Sequence, residues 1–118
     1  MGFTFIKIRV YSFDLSKHED VELMVDDGAL LTSIPRSVLE KLGLRPVTRH
    51  KLRVFSSGVV ERDAGGAVVE YEGRRTVVPL VFGEPGDAAV LGVTALEALG
   101  YQLDPVTKRL KPAEILMV

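Results

Sequence analysis

The apolar run Val21-Glu22-Leu23-Met24-Val25 ends in two adjacent carboxylates, Asp26 and Asp27, followed directly by Gly28 and Ala29. Carboxylates so placed can bind a cation or move protons. A shared cation is disfavoured, because neighbouring residues of an extended chain point to opposite faces. The other chemistry-bearing residues have plainer readings. His18, Glu19 and Asp20 are contiguous in a polar turn and diverge, His50 stands apart, and no second ligand cluster accompanies them, so no metal is expected. Ser33, Ser56 and Ser57 would be nucleophiles only beside a base, and no nucleophile elbow surrounds them; they read as helix-cap and hairpin residues. Asp63-Ala64-Gly65 also has the form Asp-x-Gly, but it follows the charged Glu61-Arg62 and reads as a hairpin turn. Arg74-Arg75 reads as a solvated hairpin end.

The elements that must position Asp26 are short. Ile6, Ile8 and Val10 alternate with Lys7 and Arg9, the period of a half-buried strand, and Val21, Leu23 and Val25 repeat it after the polar turn of Tyr11 to Asp20. These two strands predict a hairpin. Pro35 suits a first helical position and Gly43 a left-handed cap after Leu42, so a short helix is expected there with Val38, Leu39 and Leu42 on its buried face. His50 to Arg62 predicts a second hairpin about Ser56-Ser57-Gly58. Asp63 to Gly66 predicts a turn, and Ala67 to Phe82 a strand, an Glu-Gly turn and another strand, with Pro79 marking an edge or a bulge. Ala88 to Gly92 is a short apolar run, Val93 to Leu99 a second helix ending at Gly100, and the chain finishes with Tyr101 to Asp104, a turn, and an apolar tail from Ile115 to Val118 that needs covering. Many short strands with two short helices predict an all-β class, a small barrel or sandwich, in a single domain over residues 1–118.

Composition narrows the function. The chain is 47% hydrophobic and 26% charged and has no Cys, which excludes disorder and a disulfide scaffold. Fifteen basic residues balance sixteen acidic ones without a basic run, so no nucleic-acid partner is expected. The N-terminus lacks a signal layout and no apolar stretch is long enough to span a membrane, so a cytoplasmic location without membrane attachment is expected.

The order apolar strand, Asp26-Asp27-Gly28-Ala29, hairpin, then Val90-Leu91-Gly92 before a helix, resembles the retropepsin-like aspartic proteases, and the similarity runs from about Ile6 to Leu110. Ile34 to Leu44 and Ala89 to Pro105 look particularly like the single-lobe prokaryotic members. The resemblance implies a small closed β-barrel with two short helices. It makes Asp26 the catalytic acid, with Asp27, Gly28 and Ala29 completing its loop. It makes Phe55, Ser56, Ser57 and Gly58 the tip of a substrate-covering flap, and Val90, Leu91 and Gly92 the support behind the loop. Two carboxylates about 3 Å apart share one proton, so that one activates a water while the other polarises the scissile carbonyl, with no cofactor. One chain supplies one such loop, and the resemblance therefore implies a homodimer acting on an extended peptide or unfolded protein, with the N-terminal strand and the apolar tail at its interface.

One position departs from the family pattern. Asp27 stands where the family has Thr or Ser, whose hydroxyl both donates and accepts across the dimer axis, and an ionised carboxylate only accepts. A protonated Asp27 would restore both roles, which predicts activity displaced toward acid pH. The alternative is a catalytically impaired peptide-binding or assembly module of the same fold.

Overall fold

The computed structural model describes residues 2–54 and 58–115. The alternating N-terminal run is β1 (Phe5–Tyr11), paired antiparallel with β2 (His18–Val25) from Phe5↔Met24 to Tyr11↔His18. Ile6, Ile8, Val10, Leu23 and Val25 are buried, as the period requires. The connecting turn is shorter than the polar composition suggests. His18, Glu19 and Asp20 belong to β2, where Asp20 accepts a hydrogen bond from Arg9 Nε at 3.1 Å and the His18 ring lies 5.7 Å from that of Tyr11. Cross-strand partners, which local composition does not display, extend the strand.

After the Asp26 loop comes β3 (Thr32–Pro35), then α1 (Arg36–Lys41). Pro35 is the N-cap rather than the first helical residue. Ser33, expected as a cap, instead lies in the β3 ladder opposite Val81 and Val90, and no side chain caps the helix. The C-terminal end is as expected. Gly43 takes a φ of 72°, its N–H reaches the Glu40 carbonyl and the Leu44 N–H reaches the Leu39 carbonyl, both at 3.0 Å, the paired bonds of a Schellman ending.

β4 (Thr48–Val54) pairs antiparallel with β5 (Gly58–Tyr71), forming the expected hairpin. The turn expected at Asp63 to Gly66 does not form. β5 runs unbroken through these residues, because Asp63 is laddered to β4 opposite Arg49, and the strand is laddered to β6 (Arg74–Gly83) from Ala64↔Val81 to Tyr71↔Arg74. The small residues serve close packing instead: a Cβ on Gly65 would come 3.2 Å from the Arg45 carbonyl oxygen. Pro79 lies where β6 has β5 on one side and β3 pairing has not begun, consistent with an edge position. Arg74 is not merely solvated, since its Nη1 donates to the Gly100 carbonyl at 2.7 Å and its guanidinium lies 4.7 Å from the Tyr101 ring centroid.

β7 (Val90–Leu91), α2 (Val93–Ala98), β8 (Tyr101–Leu103) and β9 (Leu110–Pro112) complete the described elements. The strand order is β1-β2-β7-β3-β6-β5-β4, and an additional β1–β5 pairing returns the ladder to its start. The fold is all-β with two short helices around one core that includes Ile8, Leu23, Ile34, Leu80, Phe82, Leu91 and Leu96. Among the described residues, no helix is long and apolar enough to cross a membrane.

Candidate active site

Asp26 follows the last residue of β2, and its backbone is fixed from both sides. The Val25 N–H donates to the Thr4 carbonyl at 2.7 Å and the Asp26 N–H to the Leu91 carbonyl at 3.0 Å. The second bond continues the parallel β2–β7 pairing, in which Val25 faces Leu91. The chain then turns tightly, with the Ala29 N–H on the Asp26 carbonyl at 3.1 Å and the Gly28 N–H on Asp26 Oδ1 at 3.0 Å. That backbone donor orients the carboxylate, and a Cβ on Gly28 would lie 3.3 Å from the same oxygen. Asp26 is half-buried and Asp27 exposed.

The support behind this loop is the segment the sequence singled out. The first amides of a helix lack intrahelical partners, and here the loop supplies them: Val93 N–H donates to the Ala29 carbonyl at 2.7 Å and Thr94 N–H to the Leu30 carbonyl at 3.3 Å. Gly92 passes so close to the loop that a Cβ would stand 2.6 Å from the Leu31 carbonyl group, a space only glycine leaves free. Its N–H donates to Thr32 Oγ1 at 3.0 Å. Thr32 is 1% exposed and was not singled out from the sequence, because its partner lies 60 residues away. The one sequence signal is the polar pair Thr32-Ser33 set between the apolar Ala29-Leu30-Leu31 and Ile34.

Ala29, Leu30, Leu31, Ser33 and Val90 form one wall of a cavity of about 500 Å³. Leu52, Val54, Val60 and Arg62 of the β4–β5 hairpin also line it, with Asp87 from the loop after β6. Gly58, with a φ of 73°, begins β5, while Phe55, Ser56 and Ser57 lie outside the described residues. The structure thus brings together Asp26, Gly28, Ala29, Val90, Leu91 and Gly92, and Ala29 and Val90 share a cavity with the hairpin. Asp63 is elsewhere engaged, accepting from Arg36 Nη2 at 2.6 Å and Arg49 Nη1 at 3.0 Å. These hydrogen bonds, Arg36 first, hold its carboxyl below the usual carboxylate range.

No family model and no curated protein matches the chain. Solved structures do. The simian foamy virus (mac) protease is 17% identical with a TM-score of 0.55, the match covering 79% of this chain and 91% of that one. A retropepsin-like aspartic protease from Rickettsia conorii is 19% identical with a TM-score of 0.60, covering 87% of this chain and 77% of that one. At these identities the likeness establishes the fold: the chain has the retropepsin-like fold.

Proposed function

We propose, from the retropepsin-like fold and the seat it gives Asp26, that the protein is a homodimeric aspartic endopeptidase in which the Asp26 carboxylates of two copies activate one water between them. The observation that carries this reading is the fixing of Asp26 at the end of β2, with the Gly28 N–H on its carboxylate and the Leu91 carbonyl on its N–H. The ionised carboxylate takes a proton from the water as the oxygen attacks the scissile carbonyl. The protonated partner donates to the carbonyl oxygen, and a proton then passes to the leaving amine as the C–N bond breaks.

A chain with one such loop needs a second copy. Phe3 and Phe5 are 74% and 57% exposed, and Thr4 between them holds the strand leading to Asp26 through its carbonyl. Burying these side chains against a second copy would remove an apolar patch and draw the two loops together. An extended peptide would lie in the cavity under the β4–β5 hairpin, gaining main-chain hydrogen bonds as an added strand does.

Hydrolysis of a peptide library from about pH 3 to about pH 8 tests this reading. Asp26→Asn is expected to lower turnover by roughly a thousandfold or more, and sedimentation at micromolar concentration is expected to give a dimer. Equal hydrolysis by variant and wild type, or a monomer throughout that range, overturns it. Asp27 favours a second reading, a dimeric peptide-binding module without turnover, which would bind the same peptides and leave them intact.

A further inference from the structure

Among the described residues, two charged side chains reach the cavity beside the Asp26 loop, Arg62 and Asp87. They are bound to each other. Arg62 Nε donates to Asp87 Oδ2 at 2.7 Å and Nη2 to Oδ1 at 2.9 Å, the parallel two-bond geometry that arginine makes with a carboxylate. Each is also held from its own side: Arg62 Nη1 donates to the Glu61 carbonyl at 2.9 Å, and Asp87 Oδ2 accepts the Glu84 N–H at 2.8 Å. The two side chains are 22% and 28% exposed, so each keeps some contact with water while its partner neutralises it. Apart from Ser33, the other side chains of the lining are apolar, Leu31, Leu52, Val60 and Val81 among them.

We propose that the Arg62–Asp87 pair is the specificity-determining element of this cavity, a charge filter that admits uncharged side chains of a bound peptide and turns away acidic and basic ones. The inference rests on the reading of the cavity as a peptide-binding pocket. An incoming carboxylate is attracted by Arg62 but repelled by Asp87, and it gains an ion pair only by breaking a two-bond one. An ammonium group meets the mirror image of that problem. An apolar side chain meets neither cost and gains the apolar walls. Breaking the pair from one side therefore redirects selection: Asp87→Asn leaves a guanidinium for Asp or Glu, and Arg62→Gln leaves a carboxylate for Lys or Arg.

The test separates binding from turnover. Affinities are measured in the Asp26→Asn background for a set of extended peptides in which each position in turn is Leu, Glu or Lys, and the same set is offered to the unsubstituted protein for cleavage. Leu peptides are expected to bind best to the intact pair. Asp87→Asn is expected to raise the Glu-to-Leu affinity ratio at one position by about tenfold, and Arg62→Gln the Lys-to-Leu ratio likewise. If neither variant folds, isosteric peptides decide on the intact pair: a peptide with Gln in place of Glu is expected to bind about tenfold more tightly. Unchanged ratios in folded single variants, equal affinities for the Gln and Glu peptides, or no binding of any peptide overturns the inference. Binding with the expected ratios but no cleavage leaves the filter standing and removes the peptidase reading.

Discussion

Two side chains hold the site through one backbone amide each: Asp26 accepts from the Gly28 N–H at 3.0 Å and Thr32 from the Gly92 N–H at 3.0 Å. Asp26 was legible because an apolar strand, an acid, a glycine and an alanine stand in succession, and the structure puts the Gly28 amide on that carboxylate. Thr32 was not, since its work is a single bond to the Gly92 N–H across the fold. Thr32→Val keeps the shape and strands that buried donor, so a loss of about 1 to 3 kcal/mol is expected in urea unfolding, with Thr32→Ser largely restoring it. If Val and Ser variants melt alike, the bond is not what holds the segment. Asp27 supplies the second residue-scale prediction. A carboxyl replacing a hydroxyl works in both directions only when protonated, so Asp27→Thr is expected to move the peptidase pH profile upward, and superimposable profiles for the two proteins would reject this.

At the scale of elements, the sequence was readable where an end is chemically marked and unreadable where a ladder decides. Gly43 announced the end of α1 because few other residues accept a φ of 72°. Gly43→Ala is expected to destabilise by about 1 kcal/mol in thermal or urea unfolding, and an unchanged midpoint would show that a Cβ at this left-handed φ costs nothing. By contrast, Asp63-Ala64-Gly65-Gly66 has turn composition yet lies inside a 14-residue strand, because β4 and β6 ladder it and the Arg45 and Val78 carbonyls crowd Gly65 and Gly66. β3 was missed for a related reason. Four residues flanked by β6 and β7 are too short to show a period of their own.

At the scale of the whole molecule, ion pairs tie the hairpin to the body. Arg36 of α1 meets Asp63 of β5 and Glu84 of the loop after β6, and Arg62 meets Asp87. Asp63 and Asp87 are held below the ordinary carboxylate range by hydrogen bonds from these arginines, and Asp14 falls to about 2 through hydrogen bonds from Ser16 and Ser12. Folding lowers each of these values, so the stability they contribute is fully present above the unfolded carboxylate value of about 3.9 and is lost as pH falls through the folded value. Melting temperature is therefore expected to hold steady from these groups at neutral pH and to decline from about pH 4 toward about pH 2, with Asp63→Asn showing a shallower decline. Parallel declines in the two proteins would exclude Asp63 as a source. An acid-shifted peptidase would thus meet its own structural floor. β5 runs unbroken from Gly58 to Tyr71. Its outer portion pairs with β4 over the cavity, while its inner portion pairs with β6 and β1 in the closed ring. The cover of the cleft is therefore a cantilever rooted in the wall. With no joint between Gly58 and Tyr71, a load on the overhang is borne as curvature by the same beam that seals the core.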